Sequence, residues 1–217
     1  EAVASRVLKQ TEPDRAIASL SRAKKDWSYA LERLDKDLTR EATCEAASGA
    51  VVAGIELFRA TGEKQFAMKA LELAPRLVES QERNYLPGPR RISGFLYASP
   101  TGKGILHSVT PGARELAQIV ALVKLCETFP DDPNWMKWYG GVALYSEYFY
   151  QRVADVFEPY GLMPGGIYQR EEWKKTWESN QPKMKEMIQG GTEVSEGYVV
   201  RAFPPSSTGF GTTHLNL

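Results

Sequence analysis

Residues 41–60 read EATCEAASGAVVAGIELFRA. Ala and Gly dominate this stretch, and charge is nearly absent between Glu45 and Glu56. A helix so small and so apolar on most sides is expected inside, with neighbours packed close against it. Thr61-Gly62 ends it, Gly62 being a natural C-cap. Glu63–Gln81 then reads as an amphipathic helix through Phe66, Met68, Leu71, Leu73, Leu77 and Val78. On the other side, Asp14 to about Leu38 carries one stripe: Ile17, Leu20, Trp27, Leu31, Leu34 and Leu38. Arg15, Arg22, Lys25, Glu32 and Lys36 lie opposite, which marks a surface helix with one buried side. Pro13 suits its first turn.

Further along, residues 85–110 are broken by Pro87, Gly88, Pro89, Gly94, Pro100, Gly102 and Gly104, so they are not helix. Ile92–Ala98 and Lys103–Val109 are expected as two short strands around a Ser99–Gly102 turn, a β-hairpin insertion over about 92–109. Thr110-Pro111 opens the next helix, as N-cap and first residue, and it runs to about Thr128. Asn134 to about Val156 is a further helix, dense in aromatic residues. Trp27, Trp135 and Trp138 fall on helix stripes and are expected in the core. Gly161, Pro164, Gly165 and Gly166 are expected in a loop, Glu171–Ile188 in a helix interrupted by Pro182, and Tyr198–Phe203 in a strand. Residues 205–217 form an irregular tail.

A shift of 68 residues carries Ala53 onto Ala121, Leu57 onto Leu125, Met68 onto Met136 and Lys69 onto Lys137 without a gap. Chance similarity between helices of like composition is the competing explanation. A true repeat means helical hairpins stacked in an array or closed into a ring, since one hairpin cannot bury its own apolar face. The expected fold is therefore mainly α: repeated helical hairpins forming part of an (α/α) toroid. The whole of 1–217 is expected to be one domain, a fragment of a larger toroid.

Composition removes several function classes. Lys+Arg and Asp+Glu are both 27, so the chain lacks the basic excess of a nucleic-acid binder. No run of about 18 apolar residues exists to span a membrane. Two cysteines and two histidines leave no cysteine-built metal site or disulfide scaffold, and no metal or other cofactor is expected. Under the 68-residue shift, Cys44 and Cys126 fall near opposite ends of parallel helices, so both are expected as free thiols.

Ala53–Ala70 (AGIELFRATGEKQFAMKA), the GFLY stretch at 94–97, the helix entry from His107 to Glu115 and PYGLMPGGIY at 159–168 resemble the six-hairpin toroid glycosidases. Within that superfamily the resemblance is to family 9 glycoside hydrolases and their bacterial relatives. It covers roughly residues 14–204. It implies hydrolysis of O-glycosidic bonds in a β-glucan or other polysaccharide, in the periplasm or outside the cell. The family's Asp-rich base motif lies upstream of the matched region and its acidic Glu downstream, so no catalytic residue is carried over. The missing remainder of the toroid would then be a partner. The alternative is a non-catalytic helical-repeat domain that binds carbohydrate or protein.

In a toroid, residues near the N-termini of the inner helices face the cleft, here beside the 85–109 insertion. Glu45 and Glu115 sit a turn or so inside their helices. Glycoside hydrolysis needs two carboxyl groups about 5 to 9.5 Å apart, and helix neighbours lie about 8–10 Å apart. Acidic residues that only favour a helix dipole would look the same. His107 and Arg114 could hydrogen-bond a sugar, and Tyr97, Tyr160, Tyr168 and Trp173, in or near loops, could stack on one.

Overall fold

The computed structural model describes residues 1–37, 43–101, 105, 114–159, 161, 166–171 and 192–201. These residues are mainly helical, with one small antiparallel sheet. The chain divides into two compact units. The first comprises Glu1–Ser80, Ala98–Gly104 and Ala117–Gly141; the second comprises Gln81–Tyr97, Ile105–Leu116 and Val142–Leu217.

The first unit is built from helix pairs. Helix α1 (Ala2–Leu8) turns into α2 (Pro13–Asp37), α3 (Thr43–Thr61) into α4 (Lys64–Glu79), and α5 (Arg114–Thr128) into α6 (Trp135–Ala143). α2 runs back along α3, since Lys24 meets Glu63 just past the end of α3 and Leu34 lies with Ala46 and Ala50 near its start. α3 is packed as its composition requires: Cys44, Ala47, Val51 and Ile55 are fully buried at helical spacing. Gly54 shows why small residues are needed. A Cβ there would stand 3.0 Å from the Phe66 carbonyl and 3.1 Å from the Trp27 ring.

The amphipathic helices rotate slightly from their expected faces. On α2 the buried residues are Ala16, Trp27 and Leu34, while Ile17 is 68% exposed. At about 100° per residue, Ile17 stands about 80° from the Trp27 line, and the small Ala16 takes the inner position. On α4, Phe66, Ala67, Ala70, Leu73, Ala74 and Leu77 point inward, and Met68 is exposed. Trp27 and Trp138 are core residues. Trp135 is half-buried, stacks on Tyr139 and donates its Nε1–H to the Cys126 carbonyl. Helix α1 is an addition to the sequence reading, which placed nothing ordered before Pro13.

Residues 68 apart meet. Glu56 of α3 accepts a bond from Lys124 of α5, and Arg59 pairs with Glu127. Both pairings advance three residues in the same direction, so α3 and α5 run parallel. Leu57 and Leu125 are both buried, and Met68 and Met136 are each 69% exposed. Ala53 and Ala121 differ, the first exposed and the second buried.

The second unit starts with an irregular segment. Leu96 makes an isolated bridge with Gln81, and Tyr97 makes one with Ile105. The second bridge lies where the expected hairpin would pair, but Ile92–Phe95 is not a strand. Its donors go elsewhere: Ser93 N–H to the Tyr148 carbonyl and Gly94 N–H to the Glu82 carbonyl. Gly94 has φ 87° and lies against the Leu144 carbonyl, where a Cβ would come within 2.3 Å. The expected helix 134–156 is likewise not uniform. α6 passes into a π-helix, Leu144–Tyr150, then α7 (Gln151–Ala154) and a 3-10 turn at Asp155–Phe157. The sheet has the order β1 (Gly166–Gln169), β3 (Tyr198–Arg201), β2 (Thr192–Ser195), with Tyr168 opposite Val199. β3 matches the expected strand. β1 takes in the end of an expected loop, and its Ile167 and Tyr168 are both buried. The expected helix over 172–188, the helix start at Thr110-Pro111 and the tail lie outside the described residues.

Candidate functional site

Polar and aromatic side chains converge in the second unit around residues 82–97 and the π-helix. The Leu86 N–H donates to the Ile92 carbonyl at 2.8 Å and closes a loop of chain between them. The Ser195 hydroxyl donates to the Pro87 carbonyl and anchors the same loop. Tyr85, at the loop's entrance, is 51% exposed, and its ring lies 5.7 Å from that of Tyr148 on the π-helix. The Arg152 guanidinium covers the Tyr148 ring at 5.1 Å and donates to the Arg90 carbonyl at 3.1 Å. Deeper, Tyr97 donates its hydroxyl to the Glu82 carboxylate at 2.7 Å and sets its ring edgewise on Phe95. π-helical turns are rare and are found often at functional sites. Here the Tyr148 carbonyl also accepts from the Ser93 N–H, outside the helix.

Of the residues singled out by sequence, Tyr97 belongs to this face, half-buried beside Glu82. Tyr168 stands on β1 with 4% exposure, which leaves it no open ring face for stacking. Glu45 is half-buried in the first turn of α3, in the first unit. Arg114 and Glu115 form the first turn of α5, whose start belongs to the second unit. His107, Tyr160 and Trp173 lie outside the described residues. Tyr85, Tyr148 and Arg152 were not distinguishable in the sequence: Tyr148 and Arg152 sit in a stretch that reads as one aromatic-rich helix, and the π-helical turn within it has no composition signal.

A concave feature lies in the first unit. A groove of about 540 Å³ opens below α1, between the first half of α3 and the second half of α2. Ala46, Gly49, Ala50 and Ala53 form one wall, and Tyr29, Ala30 and Leu34 the other, with Asp26 and Arg33 at its edges. Above it, Glu56 ties three helices together. Its side chain is 7% exposed and meets Arg6 of α1, Lys124 of α5 at 2.5 Å and Arg59 at 3.6 Å. Burial alone would raise its pKa, but the Lys124 bond and charge, with Arg6 and Arg59, outweigh burial and hold the carboxyl below its ordinary value. This cluster is structural, since each charge is already engaged. Cys44 is equally committed: its thiol donates to the Ser80 hydroxyl at 2.6 Å, and burial pushes its pKa up to about 11.

Among the described residues no group of three His, Cys, Asp or Glu side chains could hold a metal ion, and no helix is long and apolar enough to cross a membrane. Comparison of the chain with protein-family models, with curated proteins and with solved structures finds no match.

Proposed function

We propose that this chain is part of a carbohydrate-active protein of the six-hairpin (α/α) toroid type, similar to the glycoside hydrolases, acting on a polysaccharide in the periplasm or outside the cell. The observation that carries the reading is the charged rung Arg6–Glu56–Lys124. It joins the first helices of three consecutive helix pairs side by side, with α3 and α5 parallel. Stacking of helix pairs by their inner members is the packing that an (α/α) ring repeats. In that arrangement the groove below α1 would be covered by the remainder of the ring.

The Tyr85–Tyr148 face with Tyr97 and Glu82 supports a saccharide as ligand. The exposed Tyr85 ring offers stacking surface to the apolar face of a sugar, and a fixed carboxylate accepts from its hydroxyls. Glycosidic hydrolysis would need an acid and a base as well. The test is incubation with β-glucan and other polysaccharides, followed by assay of reducing ends and of binding. Release of reducing ends supports a hydrolase. Saturable binding without release supports the non-catalytic domain instead.

A further inference from the structure

We propose that the Tyr85–Tyr148–Arg152 face takes an anionic sugar, a uronate residue of an acidic oligosaccharide; this rests on the carbohydrate reading above and narrows its substrate class. The ring pair alone would suit a neutral sugar. What distinguishes this face is the Arg152 guanidinium on its Tyr148 ring, with further arginines exposed on the adjoining chain. Arg152 is fixed from behind by the Tyr148 ring and by one bond to the Arg90 carbonyl. Arg90 and Arg91 are exposed on the closed 86–92 loop, and Arg83 is exposed just before Tyr85. Arg91 has φ 49°, a left-handed conformation unfavourable for a residue with a Cβ. The loop is held in that form by the Leu86–Ile92 and Ser195–Pro87 bonds.

Of the acidic groups nearby, Glu193 pairs with Arg170, while Glu82, which accepts from the neutral Tyr97 hydroxyl, and Glu196, exposed beside Ser195, keep their charge. Glu147, exposed on the π-helix next to Tyr148, is the one opposing charge on that element. Among the described residues no carboxylate pairs with Arg83, Arg90 or Arg91. A planar guanidinium beside an aromatic face matches a sugar that carries both an apolar ring face and a carboxylate. A nucleic acid would fit the same elements, but the chain's balance of 27 basic and 27 acidic residues lacks the wider field that such a polyanion requires.

The test is an NMR titration of the isotope-labelled 217-residue chain with trigalacturonate, with a neutral gluco-oligosaccharide of the same length, and with sodium sulfate. Trigalacturonate is expected to shift the amides of 83–92 and 148–152 and to bind about tenfold more tightly than the neutral sugar. Arg152→Gln is expected to remove most of that preference. Arg90→Gln, whose exposed side chain carries no packing, serves where the first variant unfolds. Equal affinity for the two sugars at this face overturns the anionic assignment and leaves the carbohydrate reading standing. Sulfate producing the same shifts at the same concentration overturns it as simple anion attraction. Absence of binding by either sugar overturns both readings.

Discussion

Glu56 and Lys124 are 68 residues apart in the chain, and their side chains meet at 2.5 Å between parallel helices. The same interval relates Arg59 to Glu127. The spacing that superposes the two helices in sequence is thus also the spacing at which they touch. Translation from one helix pair to the next brings like levels together, so a residue meets its own counterpart.

Glu56→Gln is expected to destabilise the first unit by about 1–2 kcal/mol, because a buried carboxylate loses three cationic partners. Each partner is at least a quarter exposed, which keeps the loss below that of a fully buried network. A double-mutant cycle with Lys124→Met, read by urea unfolding, should return a coupling of about 1 kcal/mol. Additive effects would mean that the two helices are not in this register.

The same carboxylate sets a pH dependence. Its folded pKa lies below the ordinary value of 4.5. Its stabilisation is therefore complete above that value and is lost as the pH falls through the lower folded value. The stability difference between the wild type and Glu56→Gln should be constant near neutral pH and shrink towards zero in acid. A difference that grew on acidification would contradict the sign.

Gly94→Ala should disrupt the second unit. The new Cβ would meet the Leu144 carbonyl at 2.3 Å, and the backbone at φ 87° is itself unfavourable for alanine. A loss of about 2–4 kcal/mol is expected, with weakened hydrogen-exchange protection at Ser93 and Tyr148. Wild-type stability in this variant would exclude the close approach of the segment to the π-helix.

Cys126 should react before Cys44. Both thiols are held above their ordinary pKa by burial, but Cys44 is fully buried and bonded to Ser80, whereas Cys126 is only half-buried. Alkylation of the native protein followed by mass spectrometry should find label first on Cys126. Faster labelling of Cys44 would mean that the start of α3 opens readily.

How far the sequence could be read follows from what each element depends on. α3 was legible because its many Ala and Gly residues and the absence of charge between Glu45 and Glu56 suit a packed helix, and Gly54 is where that packing is tightest. The helix-pair order was legible from Gly62 and the Phe129–Asp132 break. Ile17 misled because its apolar side chain fits the stripe, while the buried line of α2 runs through Ala16, Trp27 and Leu34 and leaves Ile17 exposed. α1 was too short to show a stripe, and its placement depends on Arg6 reaching Glu56 across 50 residues. The Tyr85–Tyr148 face was hidden for a similar reason. It exists only because Gly94 and Ser93 hold a π-turn, a tertiary effect with no local signature.

The central claim, that the protein binds carbohydrate at the face of its second unit, is tested most directly by amide chemical-shift mapping with a panel of β-glucan and uronic-acid oligosaccharides. The account predicts saturable shifts confined to 83–97 and 148–152, lost in Tyr148→Ala with the fold intact. No saturable shift with any member of the panel, or shifts confined to the α2–α3 groove around Tyr29 and Ala53, would contradict it.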